Sequence, residues 1–219
     1  MLSPATIPSR LRPPPRLAPP PGRVPMEFVG RARALRRQIA AAHPDYDAAC
    51  EALLVPLRPR DGFSPMPRHK RLRSLARSWR ALRSPGRLRC VAGFDREAGL
   101  RIIEVLAVPV SVTFPDWNED EPSLAIVIRH VAIRPPDFAD KMTMCAVVGL
   151  HALARRAERG QPRSERAMLA DLLPLGRAFV AAMRAGEVEV EVAASGGSWR
   201  GQLMTIADRP TLAVRTFVA

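Results

Sequence analysis

The stretch RLRCVAGFDREAGLRIIEVLAVPVSVTF, residues 87–114, has the pattern of two β-strands joined by a turn. Its second run is rich in β-branched residues, with Arg101, Ile103 and Val105 at alternate positions, which fits a sheet. Pro109 must then lie at an edge, a bulge or a break. After the acidic loop PDWNEDEPS, the apolar run LAIVIRHVAIR at 124–134 predicts a third, more buried strand.

The end of the chain, residues 187–219, predicts a three-stranded antiparallel meander with turns at Gly196-Gly197 and at 208–210. In its first strand, Glu and Val alternate from 187 to 192, so one face is expected in water and the other in the core. Together the strands and the helices predict the α+β class, an antiparallel sheet with two or three packed helices.

Four helical regions are expected. Residues 27–55 have apolar residues at helical spacing and a break at Pro44, and residues 66–84 have the clearest amphipathic pattern of the front half. A third helix is expected over 137–158, ending at Gly160, with Phe138, Met142 and Cys145 on its apolar stripe. The fourth, over 164–185, is either one helix kinked at Pro174 or two helices.

The domain organisation has three parts. Residues 1–25 hold nine of the 23 prolines with few apolar residues, which predicts a disordered Pro/Arg-rich tail. A basic helical region follows over 26–86, and an α+β domain over 87–219. Met26 is an alternative start of the chain.

Positive charge is concentrated at the front. Residues 1–90 hold 19 Arg and Lys but only 5 Asp and Glu, whereas residues 91–219 hold 15 and 16. This asymmetry predicts a nucleic-acid-binding region that contacts phosphates. GC-rich codon usage is an alternative cause, because only two of the 34 basic residues are Lys.

Several classes of protein are disfavoured by absences in the sequence. There is no secretory signal, no apolar run of membrane-spanning length, no phosphate loop and no dinucleotide fingerprint. The three cysteines are far apart and lack metal-ligand spacing. We therefore expect a cytoplasmic protein without membrane association, without a metal and without a cofactor.

The amphipathic helix supplies the candidate nucleic-acid-binding residues. Leu72, Leu75, Ala76, Trp79 and Leu82 form its apolar stripe. Its other faces carry Arg68, Lys70, Arg71, Arg73, Arg77, Arg80 and Arg83. Such a helix is expected either to contact the phosphates of RNA or to pack its stripe and leave the cations in water. It also suits an acidic partner protein, as the edge of the late meander suits an added strand.

The motif GLHALARRAERG at 149–160 supplies candidate catalytic residues. At helical spacing, His151, Arg155 and Glu158 project from one side, which suits proton transfer beside a phosphate. A surface helix end is the alternative, because cations are favoured there by the helix dipole.

Residues 149–219 resemble the BrnT-related, RelE/barnase-like toxin ribonucleases. The resemblance lies in the pattern HA-x-x-R-x-x-x-R-G, matched by His151-Ala152, Arg155, Arg159 and Gly160, followed by a helix and an antiparallel sheet. It implies metal-independent RNA cleavage, with His151 as acid or base and Arg155 or Arg159 on the phosphate. Further candidates are Arg200 and Arg215. A small antidote protein is the partner that such a toxin implies.

Overall fold

The computed structural model describes residues 24–55, 69–113, 120–134, 137–161 and 164–219. The helices are α1 (Met26–Leu54), α2 (His69–Ala81), α3 (Leu150–Arg159) and α4 (Glu165–Ala185). The strands are β1 (Arg87–Asp95), β2 (Gly99–Thr113), β3 (Asp120–Arg134), β4 (Asp137–Gly149), β5 (Glu189–Ala194), β6 (Gly197–Ile206) and β7 (Arg209–Val218). The predicted α+β class is confirmed. None of the described helices is long and apolar enough to cross a bilayer.

All seven strands form one sheet in the order β1-β2-β3-β4-β7-β6-β5. Neighbouring strands are antiparallel except β4 and β7, which run parallel. The meander β1–β4 and the meander β5–β7 are therefore joined side by side. The helices α3 and α4 connect the two meanders along the chain. In the strand order of the sheet, β1 and β5 are the edge strands.

The strand predictions at 87–114, at 124–134 and over the final meander are confirmed, with β3 starting at Asp120. Residues 115–119 of the predicted acidic loop lie outside the described part of the chain, as do residues 1–23 of the predicted tail. The last four residues of that loop, 120–123, belong to β3 instead. Pro109 lies within β2, opposite Leu124 of β3, and does not end the strand.

The helix expected over 137–158 is wrong for its first thirteen residues. Asp137–Gly149 is β4, and only Leu150–Arg159 is helical, so the predicted stripe through Phe138, Met142 and Cys145 does not exist. Strand β4 lies between β3 and β7: it pairs with β3 along its length and with β7 through residues 146–148. These pairings outweigh the helical spacing of its apolar residues because they bury the run 145–149 in the sheet.

Proline interrupts neither long helix. The break expected at Pro44 is wrong, since α1 continues through it, and α4 is one helix that contains Pro174. Pro44 is exposed, so the carbonyl that loses its helical partner lies near solvent. Burial of apolar residues on both sides of each proline offsets the cost, about 3 kcal/mol, of a proline inside a helix.

The two larger of three hydrophobic clusters occupy opposite faces of the sheet, and the third is a small group around Val147. The first cluster joins the front half of α1 with α3, α4 and the middle of the sheet, and includes Ala107 of β2. The second cluster joins the back half of α1 with α2, and includes Ile102 and Leu106 of β2. Successive side chains of a strand point to opposite faces. The helical region and the sheet thus share both clusters.

A buried charge network crosses the second cluster. Glu104 and Arg129 are register partners on β2 and β3, and both are nearly inaccessible to solvent. The Tyr46 hydroxyl donates to Glu104 at 2.6 Å, and Arg87 Nε lies 2.9 Å from the same carboxylate. Burial, followed by the bond to Glu104, raises the pKa of Tyr46. Removing one charge from such a network leaves the others buried and uncompensated.

We expect Glu104→Gln to lower the free energy of unfolding by about 3 kcal/mol, because Arg87 keeps its charge in the interior without its carboxylate partner. Urea denaturation followed by circular dichroism measures this change. The matched control is Glu97→Gln in the exposed β1–β2 turn, which is expected to change stability by less than about 0.5 kcal/mol. Equal effects of the two substitutions would contradict a stabilising role for this network.

Candidate functional site

The motif helix α3 is buried on several sides. Its small and apolar side chains Ala152, Leu153, Ala154 and Ala157 are all inaccessible. It packs against α1 and β7, and Leu150 begins it directly after β4. The surface helix end considered as an alternative for this motif is not what the structure shows, because Arg155 and Arg156 are 2% and 0% exposed.

A glutamate caps the start of α3. Glu121, at the beginning of β3, accepts a hydrogen bond from the His151 backbone N–H at 3.2 Å. Burial raises the pKa of Glu121, whereas the bonds from His151 and Leu150 oppose that rise. A Cβ on Gly149 would lie 2.7 Å from the Glu121 oxygens, so glycine here leaves space for the carboxylate.

The side chains predicted as catalytic lie together on α3. Arg155 Nη1 donates to Glu158 Oε2 at 2.8 Å, and Arg159 Nε lies 3.6 Å from the same oxygen. The His151 ring is half-buried, and its Nε2 has no hydrogen-bond partner among the described residues. Burial, together with the charges of Arg155 and Arg159, lowers the pKa of His151 from 6.5. A neutral imidazole is therefore favoured near pH 7.

Access differs between the two candidate phosphate-binding arginines. The Arg155 side chain is 3% exposed and is bonded to Glu158, so its guanidinium is not displayed to solvent. The Arg159 side chain is 32% exposed. A ligand can therefore reach Arg159 directly, whereas reaching Arg155 requires its buried ion pair with Glu158 to open.

Of the further candidates, Arg215 lies close enough to the start of α3 for its charge to act on Glu121, the residue that caps this helix. Arg200 is exposed on β6 and lies 3.3 Å from Glu191. Neither Arg200 nor Arg215 is among the groups that shift the pKa of His151. In the described residues, no group of three or more His, Cys, Asp or Glu side chains is placed to hold a metal ion.

Sequence reasoning missed the role of Arg156. Its Nε donates to Asp171 Oδ2 of α4 at 2.6 Å, and its guanidinium lies 5.5 Å from the centre of the Phe217 ring. Asp171 also accepts from the backbone and hydroxyl of Ser195. The signal was available, since Asp171 occurs among the apolar positions of α4. A Cβ on Gly160 would collide with the Arg156 side chain, which explains the glycine after α3.

The predicted nucleic-acid-binding residues occupy the exposed side of α2. Lys70, Arg71, Arg73, Arg77, Arg80 and Arg83 are all exposed; Arg68 lies outside the described residues. The predicted stripe residues Leu72, Leu75, Ala76 and Trp79 are buried, and Leu82 is partly buried. The helix ends at Ala81, three residues before the predicted end at 84, and residues 66–68 of the predicted range lie outside the described part of the chain.

Comparison with known proteins identified no relative: no protein-family model, no curated protein and no solved structure matches the chain.

We expect Arg159→Gln to move the titration midpoint of His151 upward, toward 6.5, because one of the two guanidiniums that oppose protonation is removed. Histidine ring signals in an NMR pH titration measure the midpoint. The control Arg166→Gln, an exposed arginine on α4, should leave it unchanged.

The same shift has a defined effect on stability. The folded pKa lies below the unfolded value, so the contribution of His151 is complete above pH 6.5 and is lost as pH falls through the folded pKa. His151→Gln should therefore reduce the loss of stability on acidification in that window. If the NMR titration midpoint of His151 were unchanged in Arg159→Gln, the explanation that the charge of Arg159 opposes protonation of His151 would be contradicted.

Proposed function

We propose that this protein associates with nucleic acid through phosphate contacts made by the exposed side of α2. The observation that carries the proposal is the composition of this helix: its thirteen residues include five cations and no carboxylate. All five cations are exposed, as is Arg83 just beyond the helix. Phosphate contacts of this kind supply most of the affinity in nonspecific binding.

Packing supports a defined orientation of this surface. Trp79 is inaccessible within the second cluster, and the Arg87 side chain donates to the Trp79 carbonyl at 3.0 Å. The Arg129 guanidinium lies 5.3 Å from the centre of the Trp79 ring. At 100° per residue, Lys70 and Arg77 lie opposite the buried stripe. The cations are therefore held on a helix that cannot rotate without exposing its tryptophan.

The helix cations repel one another. Lys70 and Arg73, Arg73 and Arg77, and Arg77 and Arg80 are neighbours at i,i+3 or i,i+4, where like charges cost about 0.2–0.5 kcal/mol per pair. The helix dipole opposes Lys70 and Arg71 in the first turn. Within the described residues, none of these cations has a carboxylate partner. A polyanion would relieve this repulsion.

Arginine is used differently elsewhere in the protein. Arg87, Arg129, Arg155 and Arg156 are largely or fully buried, and each has a carboxylate partner. Codon bias enriches arginine along a whole chain, but it does not exclude carboxylates from one helix of thirteen residues that holds five cations. This local composition supports a polyanionic ligand for α2.

We expect Lys70→Gln combined with Arg77→Gln to weaken binding to RNA and to reduce its salt dependence. If both side chains contact phosphates of single-stranded RNA, the slope of log K against log salt should fall by about 1.4. Fluorescence anisotropy with a labelled single-stranded RNA and a DNA duplex of equal length measures both quantities. Phosphate contacts carry no sequence information, so changing the RNA sequence should alter the affinity little.

The matched control is Arg166→Gln combined with Arg177→Gln, two exposed arginines of α4 that remove the same net charge. This variant should bind with nearly the wild-type slope. If both double variants lose the same affinity, binding reflects net charge alone and α2 is not the interface. Absence of binding by the wild-type protein at low salt would refute the proposal outright.

A second candidate function is metal-independent RNA cleavage at α3, as the resemblance to toxin ribonucleases implies. The specific observation in its favour is the half-buried His151 ring, whose Nε2 lacks a hydrogen-bond partner in the described structure and whose pKa is lowered. A neutral histidine beside two guanidiniums suits removal of a proton next to a phosphate. Use of Arg155 would require its ion pair with Glu158 to open.

If α3 is catalytic, His151→Ala should lower the rate of RNA cleavage by about 10²- to 10⁴-fold. Arg159→Lys should also lower it, because lysine keeps the charge but loses the two-pronged contact. Cleavage of total RNA with and without a chelator is the assay, and a urea denaturation curve controls for folding. RNA that stays intact with the wild-type protein in both conditions would exclude this candidate.

A further inference from the structure

The sheet face opposite α2 carries an exposed row of side chains across four strands. Val91 pairs with Ile103, Ile103 with His130, and His130 with Lys141 in the sheet register. All four are exposed. Ile102 and Leu106, which alternate with Ile103 along β2, belong to the second cluster beneath α2. The row therefore lies on the other side of the sheet from the proposed nucleic-acid-binding surface.

Apolar side chains are concentrated around this row. Val91 and Ile103 are 52% and 45% exposed, although both lie in well-paired strands. Helix α4 borders them, because a Cβ on Gly176 would lie 3.6 Å from Ile128, two residues before His130. Val180 and Met183, one and two turns after Gly176 on that side of α4, are 38% and 45% exposed.

We name these four side chains, Val91, Ile103, Val180 and Met183, the sheet-face patch. They are half of the exposed large hydrophobic side chains among the described residues. Apolar side chains scattered singly over a surface need no explanation, whereas a group on one face is typical of an interaction site.

Basic side chains surround the sheet-face patch. Arg89, Arg101, Arg134 and Lys141 point to this face by strand alternation and are exposed. None of them has a carboxylate within ion-pair distance in the described part of the protein. The carboxylates on the same strand face, Asp95 and Asp137, lie at strand ends. The surface is therefore apolar at its centre and cationic at its rim.

From this arrangement we propose that the sheet-face patch binds an acidic amphipathic helix of a partner protein. The apolar stripe of such a helix would lie on Val91 and Ile103, with Val180 and Met183 beside it, and its flanking carboxylates would meet Arg89, Arg101 and Lys141. An apolar centre with a charged rim is the usual anatomy of a protein interface. Residues at i, i+3, i+4 and i+7 are the anchors that a helix offers to such a surface.

Charge and composition favour this occupant over two others. A second copy of the chain would bring its own cationic rim against this one, which is repulsive. Single-stranded nucleic acid is bound on sheets through stacking on aromatic side chains. None of the exposed large hydrophobic side chains in the described residues is aromatic. The proposal is independent of the nucleic-acid association, because α2 lies on the opposite face.

The test uses the full-length protein and a synthetic, fluorescein-labelled 20-residue peptide with leucines at i, i+3, i+4 and i+7 and glutamates on both flanks. Two further peptides are a scramble of the same composition and a version with lysine for glutamate. By fluorescence anisotropy, the acidic amphipathic peptide should bind at least tenfold more tightly than either of the other two. Ile103→Ser and Arg101→Glu should each weaken it at least fivefold.

The matched controls distinguish peptide binding at the sheet-face patch from nonspecific hydrophobic binding and from binding at α2. Met142 is 47% exposed, close to the 45% of Ile103, but lies on the opposite face of the sheet, so Met142→Ser should leave peptide binding unchanged. Lys70→Gln combined with Arg77→Gln should also leave it unchanged.

Three results would overturn the proposal. The first is that the acidic and scrambled peptides bind equally well or that neither binds, and the second is that Met142→Ser and Ile103→Ser weaken peptide binding equally. The third is that Arg101→Glu or Ile103→Ser weakens RNA binding as much as the α2 variant does. The last result would assign this face to nucleic acid.

Discussion

The burial of two opposite charges, those of Glu104 and Arg129, is the constraint on which the rest of the arrangement depends. These two residues face each other in the middle of the two longest strands. Glu104 contacts Tyr46 of α1 and Arg87 of β1, while Arg129 makes two bonds to Asp140 of β4 and lies over Trp79 of α2. Burying these charges is costly unless every group has a partner. The positions of α1, α2 and four strands are therefore interdependent.

This network explains how a helix with five cations is held on a folded domain. The orientation of α2 is set by buried contacts of Trp79 and its carbonyl, not by the cations themselves. Burial alone would lower the pKa of Arg129, but the bond and the charge of Asp140 raise it, so the guanidinium stays charged beneath the helix. The result is two classes of arginine, paired ones in the interior and unpaired ones in water.

On the other face of the sheet, the motif helix α3 also combines buried, paired arginines with a more exposed one. Arg156 joins α3 to Asp171 of α4, and Trp199 of β6 donates to the Asp171 carbonyl at 2.9 Å. Removing Arg156 would leave Asp171 buried without its cation, so this part of the motif supports the packing of both helices. Among the polar side chains of α3, His151, Glu158 and Arg159 keep access to solvent, and any chemistry of this helix is to be sought there.

Local patterns in the sequence determined the α+β class, the position of most strands and the buried stripe of α2, because alternation and helical spacing report which side of an element is apolar. They did not determine β4, whose apolar spacing is helical but whose backbone pairs with β3 and, through Ala146 and Leu212, with a strand more than sixty residues away. They also did not show that Arg155 and Arg156 are buried, or that Val91 and Ile103 are left exposed beside α4. Only the tertiary structure decided these points, because the burial of a guanidinium depends on where its carboxylate partner lies, and the exposure of a strand face depends on which helices cover it.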